Sequence, residues 1–402
     1  MPPREIPLDL VSAYTGQSLT REAAFPAAEY VERLARMRGA MARAGLDFAL
    51  VHNMANLCYL TGHQTPMADW YNCLLVPASG ELTLQVCDAG LAVVHTQGVG
   101  KLVWVRWDTM SGGAARQTVE LLGQYDLTGK RVGLEMRRPG VDPFACEVFR
   151  TSFPETEFVD ATELVLRLRA VKSPAEIACL REAARITVAG ITSALGAIKP
   201  GVTENDIAAA GSEAMIRAGS EFFSIEPFVR TGARAAMAHA TYKRTPVRAG
   251  DAVILEFGGV YQRYSAPLYR TAVVGRPSER LQRLSDICLE TLNRLYGNIR
   301  PGRTMHDVAE ATVKALETVE SDTEVNPHHG YSVGIGFPPD WVEHSMFIRR
   351  GAEDVLQPGM TFHTPRALRI PGLTSAGFSE TILVTDTGCE PLTNHPRELC
   401  VI

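Results

Sequence analysis

An acid stands in the middle of an apolar run. Residues 251–275 read DAVILEFGGVYQRYSAPLYRTAVVG: two strand-like runs, Val253 to Phe257 and Tyr269 to Val274, parted by a Gly-Gly turn and closed by Gly275. Glu256 lies inside the first run. An ionised carboxylate in low dielectric needs either a partner or a task. Arg270 and Tyr264 are the partners that the same stretch offers, and the task would be that of a general base or nucleophile. Histidines at 328, 329, 344 and 363 raise a second chemistry, metal ligation, but their spacing matches no ligand motif. Pro338-Pro339-Asp340-Trp341 is good turn chemistry that would carry an acid and an aromatic side chain. The eight cysteines are scattered with no C-x-x-C pair, and several, such as Cys179, occupy apolar helix positions, so they read as reduced core thiols.

The chain that must position these groups has 402 residues, room for two or three domains of ordinary size. Hydrophobic content of 46% with 21% charged residues describes a soluble globular protein. A formal net charge of -5 supplies no electrostatic footprint for nucleic acid or an anionic membrane. The opening MPPREIPLDL lacks the basic and apolar regions of a signal peptide, and no apolar run approaches the ~20 residues that a membrane span needs. A cytoplasmic location is expected.

Residues 1 to 24 read as an irregular arm or lid. From Pro26 the periodicity turns helical, with Tyr30, Leu34, Met37, Met41 and Leu46 near a 3.6 repeat, ending at Ala44-Gly45. FALVHN follows as a buried strand, and NLCYLTGHQTP and NCLLVPASGELTLQV suggest more strands, with a turn at Ser79-Gly80. Strand KRVGLE, a helix near Phe144 to Phe153 and strand TEFVDAT complete an α/β pattern over residues 1–165. A boundary is expected between Leu164 and Lys172. Ser173-Pro174-Ala175-Glu176 is a capping box with proline at the first helical position, opening a helix to about Ala197. Then IKPGVTENDIA, from Ile198, recurs as IRPGRTMHDVA, from Ile299, with Thr203 and Thr304 placed as N-caps. Two copies are too few for a solenoid, so residues 166–402 read as one internally duplicated α+β domain.

These stretches resemble the pita-bread enzymes: prolidase, aminopeptidase P, methionine aminopeptidase and creatinase. Their hairpin typically reads D-F-G-x-x-Y-x-G-Y-x-S-D-x-T-R-T, and Arg270-Thr271 matches its closing pair. YLTG at 59–62 and LRAVKSPAEIACLREAARI also resemble the family, as does the pseudo-twofold repeat. The resemblance implies a creatinase/prolidase-like N-terminal domain before a pita-bread domain, over residues 26 to 392, and a homodimer. It also implies a pair of metal ions held by two Asp, one His and two Glu. Here those positions carry Glu256, Pro267, Val333, Pro365 and Ser379, with Glu380 one residue away. Proline and valine cannot ligate, so neither metal nor any other cofactor is expected.

By the same resemblance His239, following Thr231-Gly232, corresponds to the histidine that creatinase uses for proton transfer in a metal-free C–N hydrolysis. Glu256, His239, Asp340 and the FPPDW loop look most like ectoine hydrolase, which opens a cyclic amidine to N-acetyl-diaminobutyrate. The implied roles are Glu256 as nucleophile or general base, His239 as acid/base, and Asp340 as a second anchor for the amidinium nitrogens. Trp341, Tyr264, Glu380 and His363 would line the substrate, and Trp70 would reach a partner subunit's site. The ligand would be a small zwitterion whose carboxylate meets Arg270, Arg234 or Arg366. The alternatives are a creatinase-like hydrolase of another amidine, guanidine or cyclic amide, a metal-dependent Xaa-Pro peptidase, and a non-enzymatic binding module.

Overall fold

The computed structural model describes residues 5–6, 22–105, 112–137 and 140–402. Most of the expected N-terminal arm lies outside them. The chain divides into two units, Met1–Arg169 and Ala170–Ile402, so the helix Glu163–Arg169 crosses the boundary expected at 165 and belongs to the first.

Unit 1 is built on a mixed sheet. Its described strands are β1 (Glu5–Ile6), β2 (Phe48–Val51), β3 (Cys73–Pro77), β4 (Thr83–Val86), β5 (Lys101–Trp104), β6 (Arg131–Leu134) and β7 (Glu157–Asp160), in the order β1-β5-β4-β3-β2-β6-β7. Helix α1 (Ala27–Ala44) buries Tyr30, Arg33, Met37 and Met41 and ends at Gly45, whose φ of 64° suits a residue without Cβ. The NLCYLTG stretch forms a helix, α2 (Met54–Thr61), where a strand was expected. An apolar run of this length does not by itself tell helix from strand. The cap decides: Asn53 Oδ1 accepts from the amides of Ala55 and Asn56. Glu135, far along the chain, accepts from the amides of His52 and Asn53 and from Asn56 Nδ2.

Unit 2 shows the repeat in three dimensions. Helices α3 (Pro174–Ala197) and α4 (Glu204–Arg217) occupy the first copy; α5 (Glu279–Asn298) and α6 (Met305–Glu310) occupy the second. Thr203 and Thr304 each close a capping box, with Asp206 and Asp307. The preceding glycines make the same bond, Gly201 N to Val247 O (2.9 Å) and Gly302 N to Leu356 O (3.0 Å). Two separate cores follow, one against each pair of helices.

Between the helices lie β8 (Phe228–Thr231), β9 (Ala252–Phe257) and β10 (Leu268–Val273), with β9 in the middle and both pairings antiparallel. All of β9 is buried. The chain does not turn directly at Gly258-Gly259. It makes a short hairpin, Val260–Tyr261 with Tyr264–Ser265, turning at Gln262 and Arg263 with φ of 50° and 66°. The glycines serve close approach instead: a Cβ on Gly258 would stand 2.8 Å from the Trp341 ring. Trp341 sits on the hairpin of β11 (His328–Phe337) and β12 (Asp340–Arg349). Strands β13 (Arg366–Ile370) and β14 (Thr374–Phe378) pair beside it.

Candidate active site

Register assembles the site. Phe228, Glu256 and Tyr269 are Cα partners across β8, β9 and β10, so their side chains share one face. Arg230, two residues beyond Phe228, shares it too. Its Nη1 donates to Met237 O (2.6 Å), its Nη2 reaches Tyr269 Oη (3.4 Å), and Nη2 lies 3.9 Å from Glu256 Oε2. No hydrogen bond reaches the Glu256 carboxylate among the described residues, although the side chain is only 9% exposed. Burial pushes its pKa up, against the pull of Arg230, His239 and Arg369.

His239 follows the 3₁₀ turn Gly232–Ala236 with a φ of 56°, an uncommon conformation for a residue with a side chain. Its ring centroid lies 5.8 Å from that of Phe228, the cross-strand partner of Glu256. The structure therefore brings Glu256 and His239 together. His328 joins them: it is half-buried, and burial, Arg366 and His239 hold its pKa low.

An aromatic wall faces this group. Trp341 meets the Phe228 ring edge-on at 6.3 Å, and its Nε1–H donates to Tyr331 Oη (3.0 Å). Tyr331 Oη shares a 2.7 Å hydrogen bond with His363 Nδ1, and His363 Nε2 shares another of 2.7 Å with Ser379 Oγ. Ser379 Oγ also accepts from the amide of Tyr269 (2.8 Å). Burial drives the His363 pKa down to about 3, so the imidazole is neutral within this relay. Glu256 lies near enough to Tyr331 to raise that phenol's pKa further, after burial.

Several expected site residues stand elsewhere. His363 has both ring nitrogens engaged and can act only through Tyr331. Arg270 falls on the opposite face of β10 from Tyr269, as strand alternation dictates. There it is consumed by Glu380 Oε1 (2.7 Å) and by the carbonyls of Tyr269, Ser379, His395 and Pro396. Glu380 is its structural counterion, and also accepts from Thr393. Tyr264 donates to Glu176 Oε1 (2.8 Å) at the start of α3. Asp340 is bound to His344 Nε2 (2.9 Å) and the Val342 amide (2.9 Å), and touches the site only through its field on Tyr331. Arg234 is paired with Glu204 (3.1 Å), and Arg366 is caged by Asn326 O, His328 O and His329 Nδ1. Trp70 lies in unit 1, partly exposed before β3. Conversely, Arg230, Arg369, Tyr331 and Phe228 were missed, and His328 was considered only as a metal ligand. The signal available for Arg230 was its alternation with Phe228 on a short buried strand.

A pair of metal ions does not fit this donor set. Pro267, Val333 and Pro365 stand where the resemblance implies ligands and carry no donor atom on their side chains, and Ser379 Oγ is committed to His363 and Tyr269. Among the described residues no group of three or more His, Cys, Asp or Glu side chains is placed to hold an ion.

With a creatinase-like α/β unit ahead of a duplicated α+β unit, the chain belongs to Metallopeptidase family M24, which matches residues 178–386. The Creatinase/Prolidase N-terminal domain matches residues 33–171. Within that family of hydrolases it is 30% identical to the ectoine hydrolase of Halomonas elongata, over 94% of this chain and 98% of that one. It is 32% identical to an uncharacterized hydrolase/peptidase of Sinorhizobium fredii, y4tL, again over 94% and 98%. The prolidase structure from Pyrococcus horikoshii shares the fold, with a TM-score of 0.78 at 23% identity over 92% of this chain and 99% of that one. No helix among the described residues is long and apolar enough to cross a membrane.

Proposed function

We propose that the chain is a metal-independent hydrolase that opens a small cyclic amidine, with ectoine as its substrate. The observation that carries this reading is Glu256: a buried carboxylate at the reacting centre with no hydrogen-bond partner among the described residues and a raised pKa. An amidinium is already electrophilic, its charge spread over N–C–N, so its central carbon needs no Lewis acid to accept a nucleophile. A carboxylate of raised basicity faces that cation. It either adds to the central carbon, the adduct losing a ring nitrogen to leave an imidate ester on the glutamate that water then cleaves, or takes a proton from water as the water oxygen adds. In both routes one ring C–N bond breaks, the carbon becomes an amide carbonyl, and the departing nitrogen takes a proton. His239, which neighbours Glu256 and is exposed, is assigned that proton transfer.

The aromatic wall supports the same chemistry. Trp341 and Phe228 exclude water from one side and offer ring faces or edges to a delocalised cation. The 30% identity to an ectoine hydrolase along both chains adds to the case. Against the peptidase reading that the family's Xaa-Pro dipeptidases suggest, proline, valine and serine stand where the resemblance implies donors for the ions that would polarise a peptide carbonyl.

The test is to incubate the purified protein with ectoine, with and without chelator, and follow N-acetyl-diaminobutyrate. Turnover should survive chelation and fall roughly 10²- to 10⁴-fold in Glu256→Gln. Loss of turnover on chelation, restored by a divalent metal, would overturn the metal-independent reading. Near-normal turnover in Glu256→Gln would overturn the assignment of the acid.

A further inference from the structure

Buried positive charge in unit 2 exceeds what its neighbours neutralise. Two guanidiniums, Arg230 and Arg369, lie at 1% and 7% exposure beside Glu256 and Tyr269, and a third, Arg366, 1% exposed, acts on Arg369. Glu256 is the carboxylate among them, and it stands 3.9 Å from Arg230. Arg366 is satisfied by carbonyls and His329, and burial drives its pKa down to about 10.

Arg369 has no such cage. Its side chain makes one hydrogen bond among the described residues, Nη1 to Asn326 Oδ1 at 3.2 Å, and its buried Nε has no partner. Glu324 stands opposite it in the strand register but is exposed and forms no ion pair with it. Arg230 Nε is likewise buried and unpartnered. The fields of both arginines converge on the Tyr269 phenol, which Ser375 adjoins and which lies opposite Glu256 in the sheet. Arg230 and Arg369 thus share the single carboxylate of Glu256, and retention of the second cation next to a reacting acid points to an anion that arrives from outside.

We propose that Arg369, held by Asn326 and flanked by Arg230, is the carboxylate subsite of this pocket. It takes the anionic end of a small zwitterion by a guanidinium fork while the cationic end faces Glu256. This places the ligand's carboxylate on none of the three arginines expected from sequence. The zwitterion rests on the amidinium reading above; the anion subsite does not. The subsite also answers a difficulty in that reading, since a pocket with surplus positive charge would repel a bare cation. The carboxylate supplies the missing negative charge, so selectivity favours zwitterions over simple amidines.

Calorimetric titration with three probes tests it on the full chain. Pyroglutamate carries a ring carboxylate without an amidinium, 2-methyl-1,4,5,6-tetrahydropyrimidine carries the amidinium without a carboxylate, and ectoine carries both. Arg369→Gln should weaken pyroglutamate binding roughly 10- to 100-fold, as expected for loss of a charged hydrogen-bond donor, and should strengthen, not weaken, binding of the tetrahydropyrimidine, from which a repelling charge has been removed. Glu256→Gln should do the reverse. Arg369→Lys, which keeps the charge without the fork, should fall between, and serves if the glutamine variant does not fold. The unliganded Tm of Arg369→Gln should equal or exceed wild type, whereas a merely structural arginine would lower it. Unchanged pyroglutamate affinity in Arg369→Gln, or no saturable pyroglutamate binding by wild type, overturns the subsite. Pyroglutamate binding through Arg369 without ectoine turnover would keep the subsite and sink the proposed substrate.

Discussion

The Arg230 guanidinium stops 3.9 Å from the Glu256 carboxylate, outside hydrogen-bond distance yet well within electrostatic reach. Tyr269 and the Met237 carbonyl hold it there. The acid is thus steadied without being satisfied. Burial sets the direction of its pKa and Arg230 moderates it. The acid limb of kcat/KM should accordingly lie above the ordinary glutamate value of 4.5, and Arg230→Met should move it higher still. A pH–rate profile of both proteins checks this; a limb that moves down in the variant would contradict the geometry.

The same shift has a consequence for stability. A raised carboxyl pKa means that the native state binds more protons than the unfolded chain, so stability falls as pH rises from 4.5 through the folded pKa. Glu256→Gln removes that loss. Its Tm should exceed that of wild type at pH 8 and converge with it at pH 4, in scans at matched salt.

His363 runs the other way. Its pKa is about 3 when folded against 6.5 when free, so its contribution is present above 6.5 and is lost as pH falls towards 3. His363→Gln keeps polar atoms for Tyr331 and Ser379 but does not titrate. The stability advantage of wild type over this variant should shrink steadily between pH 7 and pH 4 in urea denaturation. A constant difference would mean that the imidazole titrates alike in both states.

Arg270 and Glu380 form a buried pair on the far face of β10. Breaking such a pair from one side costs roughly 3–5 kcal/mol. Arg270→Met should therefore lower stability by that order in denaturant titration, while the KM of the folded fraction changes far less than in a variant of a ligand-facing residue, since the guanidinium lies on the opposite face of the strand. A large rise in KM without loss of stability would restore Arg270 to the substrate.

Gly258 has no room for a methyl group. Its Cβ would meet the Trp341 ring at 2.8 Å. Gly258→Ala should cost about 1–3 kcal/mol of stability through overpacking and displace the indole from Phe228. Tryptophan fluorescence and substrate KM should change together.

Much of this architecture could be read from residues alone. The capping boxes at Ser173, Thr203 and Thr304 act within four residues, so their signal is local and the helices start where expected. The repeat disclosed the two-half construction, and Glu256 announced itself as an acid in an apolar run. What escaped depended on contacts distant in sequence. Helix α2 looked like a strand because a short apolar run fits either element; its Asn53 cap is local, but the Glu135 carboxylate that braces the same turn lies far along the chain. Arg270 looked functional and Arg230 did not, because the distinction is which face of a strand each takes, and a one-residue change of register reverses it. Tyr331 and Arg369 became visible only once β11 and β13 had brought them to Trp341 and Tyr269.

The short excursion after Gly259 reaches further than its length suggests. Arg263 lies over both Phe222 and Phe337, 3.6 Å and 4.8 Å from their ring centres, and donates to the carbonyls of Phe222 and Gly336. Phe337 begins the bend that ends in Trp341. A substitution in that stack would therefore tilt the indole without touching any ligand. Ligand preference could drift among related chains through changes in this remote clamp while every reacting side chain stayed the same.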